Sequence, residues 1–234
     1  MPTLISSYYR LAKPRMVYMN VAVAAAAFIF GSHGVVDWKA FAAMVLGLAC
    51  IVASACVFNN YSDRFIDAKM ERTQKRALPS GSIVSAHALV FGFALLAVGI
   101  LLMLPLDMRS LDMALIGFVV YVLIYTPLKP RTGLALFPGA VAGAMPPVVG
   151  YVAAAHALDM TALWLFAILF VWQLPHFLAI ARYRYDEYAN AGVPLLVRRP
   201  QNDKQRRRAR IVFYISLVVL LIVCGALISA GLFI

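Results

Sequence analysis

Charge is scarce in this chain. Only 13% of its 234 residues are Asp, Glu, Lys or Arg, against roughly a quarter in ordinary soluble domains, and 63% are hydrophobic. That balance excludes a water-soluble globular domain. Several apolar runs approach or exceed the ~20 residues that a membrane helix needs. Acids are scarcest of all, ten against 21 Lys and Arg, so the net charge is +11. Cysteine is nearly absent. Cys50, Cys56 and Cys224 each lie inside an apolar run with no metal-ligand spacing, so they read as packing residues and not as a disulfide framework or zinc site. There is no low-complexity linker and no clear internal repeat. The start, with Arg10, Lys13 and Arg15 before an Ala-rich segment, superficially resembles a signal peptide. With so many apolar runs downstream it reads as an uncleaved first membrane helix.

Hydropathy instead predicts an all-α, polytopic membrane helical bundle, one domain over 1–234. Seven transmembrane helices are expected near 16–33, 40–60, 85–105, 111–127, 134–153, 161–181 and 209–232. The connections at 34–39, 106–110 and 154–160 are short, whereas 61–84, 128–133 and 182–208 are rich in charge. Of the 21 Lys and Arg, all but Lys39 and Arg109 fall on one side of this arrangement. The excess places the N-terminus and the three charged loops in the cytoplasm, and seven spans put the C-terminus outside. A net charge that follows topology so closely argues against nucleic acid as a partner and for membrane lipid.

Within this economy of charge, NNYSDRFIDAKMERTQKR at 59–76 stands out, carrying eight charged residues between Asp63 and Arg76. Asn59, Asp63 and Asp67 recur every four residues. On an α-helix each such step drifts by only about 40°, so all three share a face. Two readings stay open. The stretch is a solvated helix end, or its acids hold divalent cations while Arg64, Arg72 and Arg76 hold an anion bridged to them, as for a diphosphate with Mg2+.

A second stretch, WQLPHFLAIARYRYDEYANAGVPLL at 172–196, brings Asp186 and Glu187 out on the same side of the membrane. Two acidic clusters on separate helices could clamp a diphosphate between metals and stabilise it as its C–O bond breaks. In the third, at 121–150, Lys129 and Arg131 are candidates for the diphosphate tail, though such loop charges also merely set topology. Gly139, Gly143 and Gly150, with Pro146 and Pro147, predict a kinked fifth span open to close packing, which is equally ordinary in membrane bundles. His176 lies inside an apolar helix beside Pro175 and near Trp172. It suits a haem contact or, just as well, an interhelical hydrogen bond.

Taken together, the ordered stretches AKPR at 12–15, 59–76, YTPLKPRT at 125–132, GAVAGAMPPVVGY at 139–151, WQLPHF at 172–177 and DEYANAGVPLL at 186–196 resemble the UbiA-type intramembrane prenyltransferases. WQLPHF and AGAMPP favour the branch that farnesylates protohaem IX. That resemblance implies Asn59, Asp63 and Asp67 as the first Mg2+-diphosphate motif, and Asp186 and Glu187 as the second. It implies Arg72, Arg76, Lys129 and Arg131 as diphosphate ligands and His176 as a haem contact. The substrates would be farnesyl diphosphate and haem B, the product haem O, and the cofactor Mg2+. The setting would be the bacterial inner membrane, with haem A synthase or terminal-oxidase assembly factors as partners. Alternatives are a relative with another aromatic acceptor, or a non-catalytic haem-binding oxidase-assembly protein. Two departures are expected to matter. Phe65 stands where the family usually has a polar residue, which predicts a lost metal contact. The family has nine spans, so the chain is expected to lack the last two helices and to leave the side of the bundle open.

Overall fold

The computed structural model describes residues 3–233. A short amphipathic helix comes first, α1 (Leu4–Leu11), then α2 (Pro14–Gly31), α3 (Trp38–Asp67), α4 (Ser85–Met103) and α5 (Met108–Val119). A π-helical segment, Val120–Tyr125, carries α5 on into the single turn α6 (Thr126–Leu128). After a 3-10 turn at Gly133–Ala135 come α7 (Leu136–Ala155), α8 (Met160–Tyr183), the short α9 (Tyr185–Asn190) and α10 (Asp203–Phe233). Seven of these segments are long and apolar enough to cross a membrane, in the order hydropathy predicts.

Sequence chemistry explains the ends. Pro14 occupies the first turn of α2, where its missing N–H costs nothing. Asp37, Asp107 and Asp159 each accept hydrogen bonds from backbone amides at the starts of α3, α5 and α8. All three caps lie at the end of the bundle poor in Lys and Arg. Three of the ten acids are thereby committed to starting helices.

One helix, α7, runs through the middle of the bundle and packs against α2, α5 and α8. At Gly150 the α2 backbone comes so near that an added Cβ would lie 1.9 Å from the Ala24 carbonyl oxygen. A buried cluster of Ala24, Phe28, Met44, Leu48, Ile51, Met103 and Val149 fills the space between α2, α3, α4 and α7. The outer faces present Phe93, Leu101, Trp164, Ile168, Val171 and Val218, as a lipid-facing surface requires.

Three features add to the hydropathy reading. α3 continues seven residues past the expected end at 60, because Tyr61–Asp67 pack against α1 and the following loop and so remain helical. The N-terminal segment forms α1, whose Tyr8 ring packs edge-on against Phe91 of α4 at 5.0 Å. The seventh expected span, α10, packs on both α8 and α2. The Gly34 amide donates to the Gly231 carbonyl at 2.8 Å, which ties the far end of α10 to the first span.

Candidate functional site

The acid row forms because α3 stays helical to Asp67. Asn59, Asp63 and Asp67 stack on one face and are 2–3% exposed, and each is held by a partner from another segment. Lys129, one residue beyond α6, donates to Asp63 Oδ2 at 2.7 Å. Asn59 Nδ2 donates to the same oxygen at 3.2 Å and to Thr126 Oγ1 at 3.0 Å. Arg76 donates to Asp67 Oδ2 at 2.7 Å, and Thr73 Oγ1 to the Asp67 carbonyl at 2.9 Å. Burial disfavours the Lys129 ammonium, but the fields of Tyr125 and Asp63 outweigh it and raise its pKa above the usual lysine value.

Two further groups join this row, from the AKPR and YTPLKPRT stretches, to which the sequence assigned no role at these residues. Lys13 Nζ donates to Asn59 Oδ1. To aim it there, the backbone between α1 and α2 takes a left-handed conformation, φ 50° and ψ 63°. A non-glycine residue adopts this only when its surroundings hold it. Burial lowers the Lys13 pKa to about 8. Thr126 is placed by the π-helical segment, its hydroxyl donating to the Tyr121 carbonyl at 2.8 Å. Such widened turns are frequent at functional sites. Tyr121 and Tyr125 stack at 5.2 Å along the same segment.

The second stretch meets the first through the loop after α3. Arg72 Nε donates to Glu187 Oε2 at 3.1 Å, and Arg184 holds the other oxygen at 2.8 Å. Beneath this bridge Met70, Ala191 and Val193 bury one another, with Ile66 and Tyr188 alongside. Leu196 sits where a side chain at Gly133 would stand, its Cγ 2.8 Å from an added Cβ, so the loop at 129–133 belongs to the same assembly.

Not every residue expected in the site faces it. Arg64 follows Asp63 by one position, about 100° round the helix, and lies over the rings of Tyr61 and Phe65 at 4.2 and 4.3 Å. It is turned away from the acid row. Phe65 itself is 69% exposed and lies about 200° round the helix from Asp63, away from the acid row. Asp186 diverges from Glu187 and pairs with Arg199 at 3.0 Å and with Arg206, and the Arg206 hydrogen bond lowers its pKa. Arg131 is exposed. His176 Nδ1 lies 2.7 Å from Ser216 Oγ of α10, and its ring stacks on Trp172 at 4.8 Å. It is the interhelical hydrogen bond that the structure displays at this residue.

The donors suit a hard cation in kind. Asn59, Asp63 and Asp67 offer only oxygen, and Mg2+ is commonly bound through one or two carboxylates plus substrate phosphate. Among the described residues no three His, Cys, Asp or Glu side chains converge. Asp63, Asp67, Asp186 and Glu187 are each neutralised by Lys or Arg. The arrangement therefore gathers carboxylates and cations in alternation, with Lys13 on Asn59, Lys129 on Asp63, Arg76 on Asp67 and Arg72 on Glu187.

Comparison with known proteins bears on the family and the fold. The UbiA prenyltransferase family profile matches residues 20–234. A protein of Protochlamydia amoebophila named protoheme IX farnesyltransferase is 41% identical over 218 residues, 93% of this chain and 76% of that one. Proteins of the same name from Edwardsiella ictaluri and Acinetobacter baylyi are 39% and 40% identical over 195 residues, covering 82% of this chain and 66% and 67% of theirs. The chain thus spans two thirds to three quarters of the length of these curated relatives. Among solved structures, a UbiA homolog from Archaeoglobus fulgidus bound to DMAPP and Mg2+ superposes with a TM-score of 0.73 at 16% identity, over 97% of this chain and 84% of that one. The apo structure of a homolog from Aeropyrum pernix gives 0.67 at 17% identity, over 87% and 77%.

Proposed function

The chain belongs to the UbiA prenyltransferase family, and from that premise we propose that it transfers the farnesyl group of farnesyl diphosphate to the 2-vinyl group of haem B, giving haem O. The observation that carries this reading is the buried acid row of α3, interleaved with cations from three other segments. Relatives at about 40% identity bear the name protoheme IX farnesyltransferase, which supports farnesyl and haem as the substrate pair.

In this reading Asn59, Asp63 and Asp67 would hold Mg2+, with Glu187 and Asp186 as the second motif. When bound, the metal would supply a Lewis acid to neutralise charge on the departing diphosphate. Lys13, Lys129, Arg72 and Arg76 exchange their carboxylate partners for phosphate oxygens and hold the tail in place. The C–O bond breaks with both electrons leaving on the diphosphate. The vinyl group attacks the allylic cation, and water adds to the new cation with loss of one proton. Exclusion of water until that last stage falls to the apolar walls of the bundle. Arg64 and Arg131 act at most on the approach of the diphosphate, and His176 orients the haem from α8. The Lys and Arg distribution supports a cytoplasmic site in a bacterial inner membrane, with haem A synthase or oxidase-assembly factors receiving the product.

The test is a membrane assay with haem B, farnesyl diphosphate and Mg2+, read by chromatography and mass. A hydroxyethylfarnesyl adduct that disappears with EDTA is the expected result. Haem binding with no adduct under any metal would overturn the reading in favour of a non-catalytic haem carrier.

A further inference from the structure

Asp67 has a second surround besides the one it shares with Asp63. On its water side, between α1 and the loop at 72–82, lies a cavity of about 200 Å3 lined by Ser7, Arg10, Asn60, Asp67, Lys75 and Arg76, among others. Pockets for drug-sized molecules run from about 300 Å3 upward, so neither a porphyrin nor a farnesyl chain fits this one. Its charged lining is mostly cationic: Arg10, Arg72, Lys75 and Arg76 against the single carboxylate of Asp67. Arg76 and Arg72 are engaged with Asp67 and Glu187. Arg10 and Lys75 form no ion pair among the described residues. Ser7, 5% exposed, also lines the cavity. Asn60 is fixed at the back by its bond to the Leu11 carbonyl at 2.7 Å.

We propose that this cavity is an exit subsite for inorganic pyrophosphate, which rests on the diphosphate-cleaving reading above. The cations form a graded series. Lys13 and Lys129 lie deepest, beside Asn59 and Asp63; Arg76 is shared between the acid row and the cavity; Arg10 and Lys75 stand at the water side. A multiply charged leaving group released at Asp63 meets the next cation at each stage on its way to water, past a wall that Leu11, Ala77, Leu78 and Pro79 complete. Substrate, tethered by its farnesyl chain in the bundle, has no reason to reach Arg10 or Lys75. The two ligands are therefore separable by substitution at those positions.

The experiment uses the full chain in detergent and the exposed pair R10Q/K75Q, with inorganic pyrophosphate and Mg2+ as the probe. Calorimetry should show pyrophosphate binding about tenfold weaker in the double variant, ~1.4 kcal/mol. The KM for farnesyl diphosphate and the single-turnover rate should be unchanged, while product inhibition is relieved to the same degree. Unchanged pyrophosphate affinity overturns the proposal, and so does an equal rise in KM, which would make the cavity part of the substrate site. A parallel arm compares phosphatidylcholine vesicles with vesicles containing phosphatidylglycerol. If the anionic lipid binds through Arg10 and Lys75 and excludes pyrophosphate, the cavity is a headgroup site and the proposal falls. Pyrophosphate binding is measured without haem, so a chain that binds it through these residues yet makes no adduct refutes the haem reaction and retains the subsite. Should R10Q/K75Q not fold, K75E alone carries the same comparison.

Discussion

Replacing Lys129 with methionine tests whether the acid row is held by charge. The Lys129 ammonium lies 2.7 Å from Asp63 Oδ2, with side-chain exposures of 19% and 4%. Methionine keeps the length of the side chain and removes the cation, leaving Asp63 with only the Asn59 amide at 3.2 Å. Stranding one member of a buried pair costs about 3–5 kcal/mol. For a chain of this size that is roughly a 6–20 °C fall in melting temperature. The pair at the other end of the bundle, Arg109 with Asp107, has the same 2.7 Å separation, but its arginine is 50% exposed. R109Q should therefore cost about 0–1 kcal/mol. Adding D63N to K129M removes the unpaired charge and should recover most of the lost stability, because two neutral partners of similar shape replace a broken pair. Turnover should not recover, since both a metal ligand and a diphosphate cation are then gone. Thermal unfolding in detergent, followed by the haem adduct assay, reads both quantities. Equal losses in K129M and R109Q, or a double variant no more stable than K129M, would refute the assignment of Asp63 to a buried, charge-dependent site.

Asp63→Ala should abolish farnesyl transfer while leaving haem binding intact, read by turnover and by the haem absorption spectrum; normal turnover would remove Asp63 from the chemistry. Gly150→Ala places a Cβ 1.9 Å from the Ala24 carbonyl and should destabilise by at least about 1–3 kcal/mol. Gly225→Ala in α10 meets nothing within 4 Å and should stabilise by about 0.5–1 kcal/mol, so the two unfolding temperatures should move in opposite directions. Arg109 lowers the Asp107 pKa to about 2. A lowered carboxylate contributes stability that is complete above its unfolded value near 4 and is lost as pH falls through 2. D107N keeps the helix cap without the charge, so its melting temperature should change less than that of wild type between pH 4 and 2.

Hydropathy alone determined the number and order of the spans, because burying an unpaired backbone in lipid leaves little but helices as a solution. The four-residue spacing of Asn59, Asp63 and Asp67 likewise determined that they share a face, since helix geometry is local. It could not decide which neighbouring charges would join them. Arg64 is nearest in sequence and faces outward, whereas Lys13 and Lys129 are 46 and 66 positions from their partners and face in. Phe65 looked like a defect in a linear motif, but it lies exposed on the helix face away from the acid row. Asp186 and Glu187 read as one pair, yet adjacent side chains diverge by about 100° on a helix, and each took the arginines on its own side. The π-helical turn that sets Thr126, and the left-handed residue that aims Lys13, had no counterpart in composition or periodicity. Both conformations are unfavourable in isolation, so only the packed bundle selects them.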